Sequence, residues 1–327
     1  EVMLVPMYFL IAIWGHENRY YASLKFFIFT QASGLLMLVA ILALVYFNYV
    51  QTGDYSFDLE TLKQVKLSPN IAWAIMLGFF IAFAVKLPAV PVHTWLPDAH
   101  TQAPTAGSII LAGILLKTGA YGLLRFAMPL FPTLIKPFAP YAMFLGAISV
   151  IYASVLAFAQ QDLKRLIAYS SISHMGFVLL GLYAWNEKSL QGVMMQLIAH
   201  GLSSAALFAV VGMVYARLHT RQLNELGGLW RSLPNLGGLA LFFCAASLGM
   251  PGTANFAGEL MCLMGAWPVN PIATILCAVG IVGASIYSLL VLQKVFFGQN
   301  LSKTVIQDLD WREIAMLGGL MIGLLVL

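Results

Sequence analysis

Two lysines interrupt apolar sequence. Lys86 and Lys117 lie in VKLPAVPVHTWLPDAHTQAPTAGSIILAGILLKTGAYGLLR, residues 85–125 of a 327-residue chain that is 61% hydrophobic and 9% charged. A charge at the centre of an apolar span costs roughly 2.5–3.5 kcal/mol, so a buried one marks an ion or proton pathway. Lys117 follows Pro104 by 13 residues and precedes Arg125 by eight, which puts it ~20 Å along a helix. That is too deep to reach water by bending its stem. Desolvation disfavours its charged form, the property a proton carrier needs; the plain alternative is a static ion pair. Lys86 ends an apolar run and precedes Leu87-Pro88. A lysine snorkelling from a helix end competes there with one that changes partners at an interrupted helix.

Buried acids and histidines complete the chemical inventory. Glu259, in NFAGELMCLMGAW, is placed to load and release a proton, or to serve the start of a half-helix electrostatically. Glu1 is a second buried acid if its helix continues upstream, available to a buried lysine. His174 has Ser170 and Ser171 one turn before it; His200 has Gln196 at i−4, Ser203 at i+3 and Ser204 at i+4. These spacings gather polar groups on one helix face, suited to proton relay near neutral pH or to polar helix packing. His93, His100 and His219 read as interfacial, and Asp162, Lys164 and Arg165 as a charged anchoring loop. Cys244, Cys262 and Cys277 sit in apolar stretches with no disulfide or metal spacing, and no two histidines have zinc-site spacing. There is no haem, iron–sulfur or dinucleotide motif, and no basic run suggests nucleic acid.

A mean hydropathy of +0.86 places these residues in an all-α polytopic membrane protein. Runs of about 20 apolar residues predict ten spans, near 1–15, 23–50, 71–97, 104–128, 137–160, 163–184, 190–217, 234–266, 270–297 and 313–327. Both ends read as cuts through a longer protein. Arg19, Lys25, Lys164, Arg165, Arg217, Arg221, Arg231, Lys294, Lys303 and Arg312 fall on one side, against Lys63, Lys66, Arg125, Lys136 and Lys188 on the other. The positive-inside rule makes the first side cytoplasmic, with the loops around Arg19, Lys164 and Arg221. Two spans read as broken: the third, near Lys86–Pro97, by Pro88, Pro91 and Pro97, and the eighth by GMPGTANFAG at Gly249–Gly258. Phe79-Phe80 precede Pro88, and Phe242-Phe243 precede Pro251, by the same intervals. Equivalent helices are then five apart, which predicts two inverted five-helix repeats, residues 1–130 and 137–298, and a final helix over 313–327. Interrupted helices at matching positions of inverted halves point to a transport site.

The segments EVMLVPMYFLIAIWG, AFAVKLPAVPVHTWLPDAHTQAPTAGSIILAGILLKTGAYGLLRF, DLKRLIAYSSISHMGF and LGMPGTANFAGE resemble the antiporter-like membrane subunits of bacterial respiratory complex I, the proton-pumping NADH:quinone oxidoreductase. The resemblance spans essentially the whole chain. An acid at Glu259, where a sister branch has lysine, favours the NuoM branch. The ten spans would be the fifth to fourteenth of that family's helices. By resemblance, Glu1 is the buried glutamate that pairs with the pumping lysine Lys86, Lys117 is the central connecting lysine, His174 and His200 lie on the polar axis, and Glu259 is the terminal acid. The resemblance implies proton translocation across a bacterial inner membrane, coupled to quinone reduction elsewhere. This chain would carry no cofactor; NADH, FMN, iron–sulfur clusters and quinone belong to other subunits. Its partners would be sister membrane-arm subunits and the lipid bilayer. The alternative is an Mrp-type cation/proton antiporter subunit or a membrane hydrogenase subunit.

Overall fold

Proline opens four of the long helices at their first turn (Pro69, Pro132, Pro234 and Pro271), where its missing N–H is not needed. Asp162 accepts from the backbone N–H groups of Lys164 and Arg165, and Asn186 forms a capping box with Ser189. These local signals set the helix starts in the computed structural model, which describes residues 2–299 and 306–327. Glu1 and Lys303 lie outside the described residues.

The principal helices are α1 (Leu4–Trp14), α2 (Arg19–Thr52), α3 (Pro69–Lys86), α4 (Trp95–Gln102), α5 (Thr105–Leu130), α6 (Pro132–Phe158), α7 (Leu163–Ala184), α8 (Glu187–Leu218), α9 (Pro234–Ser247), α10 (Ala254–Ala266), α11 (Pro271–Phe296) and α12 (Trp311–Val326). Seven of them, α2, α3, α5, α6, α7, α8 and α11, are long and apolar enough to cross a membrane. No strand occurs among the described residues.

Helix α7 is central: it packs on α6, α8, α10, α11 and α4, and nearly every residue of it is buried. A membrane helix that never meets lipid can carry Ser170, Ser171, Ser173 and His174, because its neighbours supply hydrogen-bond partners. Small residues permit the contact. A Cβ on Gly176 would lie 2.6 Å from the Gly146 carbonyl oxygen, and one on Gly146 would lie 2.7 Å from that of Gly176, so only glycine fits at this α6–α7 crossing.

Both broken spans are observed as breaks. The first helix stops at Lys86, resumes at Trp95 and runs to Gln102, past the expected end of that span at 97; the second stops at Ser247 and resumes at Ala254. Both stops close in the same way. Leu87 N–H bonds to Phe83 O and Ala89 N–H to Ala84 O; Leu248 N–H bonds to Cys244 O and Met250 N–H to Ala245 O. The i−5 bond is the Schellman closure, and Gly249, at φ +81°, takes the left-handed position it requires. These closures align Leu87 with Leu248, so Pro88 matches Gly249 rather than Pro251. The equal Phe-Phe-to-Pro intervals in the sequence are therefore not the structural register of the two breaks. The first gap is tied across by Trp95 Nε1–H to Val85 O at 3.0 Å and by Val90 N–H to Ser149 Oγ at 3.0 Å. Backbone freed by a break inside a membrane is satisfied within the protein.

Candidate proton-conducting site

Lys117 lies just after a π-helical turn, Leu111–Leu115, in α5. A π turn widens the helix and shifts its carbonyls out of the α ladder. The Lys117 ammonium donates to the Ala112 carbonyl within that turn. It also donates to His200 Nδ1 on α8, at 2.8 Å. With Nδ1 accepting, neutral His200 holds its proton on Nε2. The α5–α8 crossing that allows this contact is made by glycines: a Cβ on Gly201 would sit 3.0 Å from Gly113 O and 3.6 Å from Lys117 Cε.

His174 and Glu259 form the other end. His174 Nδ1 lies 2.6 Å from Glu259 Oε1, and both side chains are almost fully buried. Gln196 Nε2–H donates to the same oxygen at 2.9 Å. On its far side, His174 Nε2 meets Ser247 Oγ at 3.2 Å and Tyr287 OH at 3.1 Å. Ser247 is the last residue of α9, so the second break itself contributes a hydroxyl. A Cβ on Gly249 would lie 3.7 Å from Glu259 Oε2, so the second carboxylate oxygen faces the break. Glu259 is the sixth residue of α10, and its side chain is spent on His174 and Gln196 rather than on capping that helix.

The rings of His174 and His200 are 5.4 Å apart, centroid to centroid. Both nitrogens of His174 are engaged by other partners, so no hydrogen bond joins the two rings. The arrangement is a line of groups that can each hold a proton: the half-buried Lys117 ammonium, then the buried imidazoles of His200 and His174 and the buried Glu259 carboxylate. Among the described residues, no group of His, Cys, Asp and Glu side chains could hold a metal ion.

The structure thus brings together Lys117, His200, His174 and Glu259. Lys86 terminates α3 beside the same helix as Lys117: a Cβ on Gly119 would come within 2.5 Å of Leu87 N and 3.0 Å of the Lys86 carbonyl carbon. Glu1 is outside the described residues. Sequence reasoning missed Tyr287 and Ser247, which read as ordinary residues of apolar helices. It named Gln196 only as a neighbour of His200, whereas its amide holds Glu259.

Two readings from the sequence are corrected. Lys164 is not in an exposed anchoring loop: it is buried in the first turn of α7 and donates to the Ala103 carbonyl. His100 is not interfacial: it is fully buried and stacked on Phe208, with ring centroids 4.6 Å apart. Both changes have one cause. Half-helix α4 ends inside the protein, and its C-terminal carbonyls need donors. Arg221 Nη1 donates to Thr101 O at 2.8 Å, His16 N–H to Gln102 O at 2.9 Å, and Lys164 serves Ala103 O. Cations are favoured at a helix C-terminus. Asp98, on the same half-helix, is held by Lys25 at 2.7 Å and Arg165 at 3.3 Å, and Asp162 pairs with Arg221 at 2.5 Å.

Residues 1–286 match the family described as NADH:quinone oxidoreductase/Mrp antiporter, TM. NADH-quinone oxidoreductase subunit M of Pseudomonas aeruginosa is 57% identical over 333 residues, covering 100% of this chain; the chain spans 65% of that relative's length. A chain of the respiratory complex I from Thermus thermophilus with bound NADH superposes with a TM-score of 0.92 at 32% identity, over 99% of this chain and 68% of that one. A chain of the Mrp complex from Dietzia sp. DQ12-45-1b shares the fold, with a TM-score of 0.83 at 21% identity, over 93% of this chain and 57% of that one. A broken-helix bundle with a lysine, two buried histidines and a buried glutamate in line, matched over most of its length by that family, therefore belongs to the NADH:quinone oxidoreductase/Mrp antiporter transmembrane family.

Proposed function

We propose that this chain is a proton-translocating membrane-arm subunit of a bacterial NADH:quinone oxidoreductase, driven by quinone reduction on other subunits. The observation that carries the reading is two hydrogen-bonded pairs, Lys117–His200 and His174–Glu259, whose imidazole rings stand 5.4 Å apart and which lead from the helix beside the first break to the second broken span. Lys86 feeds this line from the first break. An opposite charge beside Lys86 holds its proton, and removing that charge pushes the proton towards Lys117; Glu1 is the acid assigned that part. Lys117 passes the proton to His200 Nδ1. His174 receives it in turn and delivers it to Glu259 Oε1, whose second oxygen faces the break at Gly249. The incoming proton binds His174 Nε2, on the side of Ser247 and Tyr287, as the Nδ1 proton leaves for Glu259.

The two matching Schellman closures support two inverted repeats, over 1–130 and 137–298, with a final helix from 313. The contacts joining His16, Asp98, Lys164, Arg165 and Arg221 gather the loops around Arg19, Lys164 and Arg221 on one face. Their basic residues make that face cytoplasmic. The NADH, FMN, iron–sulfur and quinone chemistry belongs to partner subunits, and sister membrane-arm subunits flank this chain in the bacterial inner membrane.

The second reading, a cation/proton antiporter subunit of the Mrp kind, follows from the family description. The test is NADH-driven proton uptake by inverted membrane vesicles carrying the full-length chain in its complex, with sodium varied. The proposal expects sodium-independent proton translocation that Lys117→Ala abolishes. Translocation that needs sodium and not NADH favours the antiporter. Normal pumping by an assembled Lys117→Ala complex overturns the pathway.

A further inference from the structure

The C-terminal end of α7 borders a cavity of about 470 Å³. Helix α7 starts at the Asp162–Arg221 pair and ends at Ala184. The cavity therefore lies on the opposite membrane face from that charged cluster, where α6 and α11 begin. One wall is a single face of α6: Ile135, Ala139 and Met143 recur at helical spacing and, with Val269, make that wall apolar.

The polar side chains around the cavity can all donate a hydrogen bond, and none among the described residues is acidic. Lys136 is exposed and makes no ion pair or hydrogen bond among the described residues. Tyr183 is 3% exposed, with its ring packed edge-on against Phe80 and Phe138. Its hydroxyl has no hydrogen-bond partner among the described residues. A buried hydroxyl left unpaired is costly, and the cavity is where a partner can enter. Asn270 spends its Oδ1 on the Ala273 N–H at 3.1 Å, which leaves its NH2 to donate. Trp185 adds an indole N–H, which only donates. Its backbone, at φ +46°, takes the left-handed position that ends α7. Glycine is the usual residue there, and a bulky side chain held against that strain points to a use.

Four donors around one cavity, one of them a full positive charge, fit an anion. The apolar wall fits a hydrocarbon chain. In a membrane, the molecule that joins the two is an anionic phospholipid. The depth agrees: Trp185 and Trp267, 41% and 54% exposed, cap the ends of their helices, and tryptophan marks the level of the headgroups. We propose that this cavity binds an anionic phospholipid, its phosphate held by Lys136, Tyr183, Trp185 and Asn270 and one acyl chain laid along Ile135, Ala139 and Met143. The bound lipid ties α6, α7 and α11 together at the end opposite the charged cluster. The site shares no residue with the proposed proton line.

The test uses the full-length chain in its assembled complex, in nanodiscs. These contain, at equal mole fraction, either phosphatidylglycerol or phosphatidylcholine carrying the same diazirine-labelled acyl chain. After irradiation, label on peptides spanning residues 132–143 and 183–185 is measured by mass spectrometry, and NADH oxidation confirms that the complex is intact. A single interfacial lysine supplies roughly a fivefold preference for anionic lipid. Phosphatidylglycerol should therefore label these peptides roughly fivefold more than phosphatidylcholine. Lys136→Gln should remove most of that preference, and Lys136→Arg should keep it. Equal labelling by the two lipids in the parent, or a preference unchanged in Lys136→Gln, overturns the site. Cavity peptides that take no label from either lipid, while other spans of the complex do, show a groove covered by protein and overturn it as well.

Discussion

Replacing Glu259 with glutamine separates what its carboxylate does for the fold from what it does for a proton. Oε1 accepts from His174 Nδ1 at 2.6 Å and from Gln196 Nε2 at 2.9 Å, while Oε2 faces the break at Gly249. In Glu259→Gln, the amide oxygen can occupy the Oε1 position and keep both bonds, with the NH2 directed to the break. The structural loss is the difference between a charge-assisted bond and a neutral one, about 1–1.5 kcal/mol for each, or about 2–3 kcal/mol in all. Glu259→Ala strands both donors at about 1–3 kcal/mol each and leaves a void besides. Glutamine is therefore expected to assemble nearly as well as the parent, and alanine less well, as read from complex content on native gels and from thermal unfolding in detergent. Neither can carry a proton, so both lose NADH-driven proton translocation by roughly 10²-fold or more. A Glu259→Gln complex that assembles and pumps at the parental rate would show that this carboxylate is only a hydrogen-bond acceptor, and the relay argument would fail at its last member.

Gly119→Val is expected to separate α3 from α5: its Cβ would meet Leu87 N at 2.5 Å and Phe83 O at 2.7 Å. Both atoms are backbone and cannot swing aside, so the cost is about 1–3 kcal/mol or more, seen as a lower melting temperature together with lost pumping. Gly113→Ala is the contrast, because its nearest neighbours are 3.8 Å away and a methyl group fits; a melting point as low as that of Gly119→Val contradicts the packing argument. His16 lies outside the spanning helices, and burial, then the nearby Arg221, holds its pKa below the ordinary histidine value of 6.5. The unfolded chain binds this proton more readily, so the stabilisation is present above pH 6.5 and is lost as pH falls through 6.5 towards the lower folded value. His16→Gln should flatten that part of the stability profile between pH 7 and pH 5 in detergent; an unchanged slope refutes the assignment.

Much of this site was legible in the sequence because a membrane interior makes polarity conspicuous. Lys117, His174, His200 and Glu259 stand out against apolar neighbours, and proline and glycine mark the breaks. What the sequence hid depends on which helices meet. Tyr287 lies in SIYSLL and looks like a belt aromatic until α11 packs beside α7 and aims its hydroxyl at His174. The π turn before Lys117 leaves no residue signature, yet it presents the carbonyl that the lysine binds. Lys164 has acidic and basic neighbours in sequence and reads as an exposed loop. It is buried because α4 ends two helix layers away in the chain order, with carbonyls that only a distant donor reaches. His100 was misjudged for the same reason: next to Pro97 and Pro104 it looked like a boundary residue, whereas the short half-helix carries it into the interior.

The relay is tested most directly at its terminal group, by infrared difference spectroscopy of the assembled complex during NADH-driven turnover. A proton that travels from Lys117 through His200 and His174 must neutralise the Glu259 carboxylate, producing a protonated carboxyl C=O stretch that shifts in D2O. The account predicts that this band is absent in Glu259→Gln and is also lost in Lys117→Ala, where the carboxylate is intact but its proton source is gone. A Glu259 band that persists undiminished in Lys117→Ala contradicts the connection between the two.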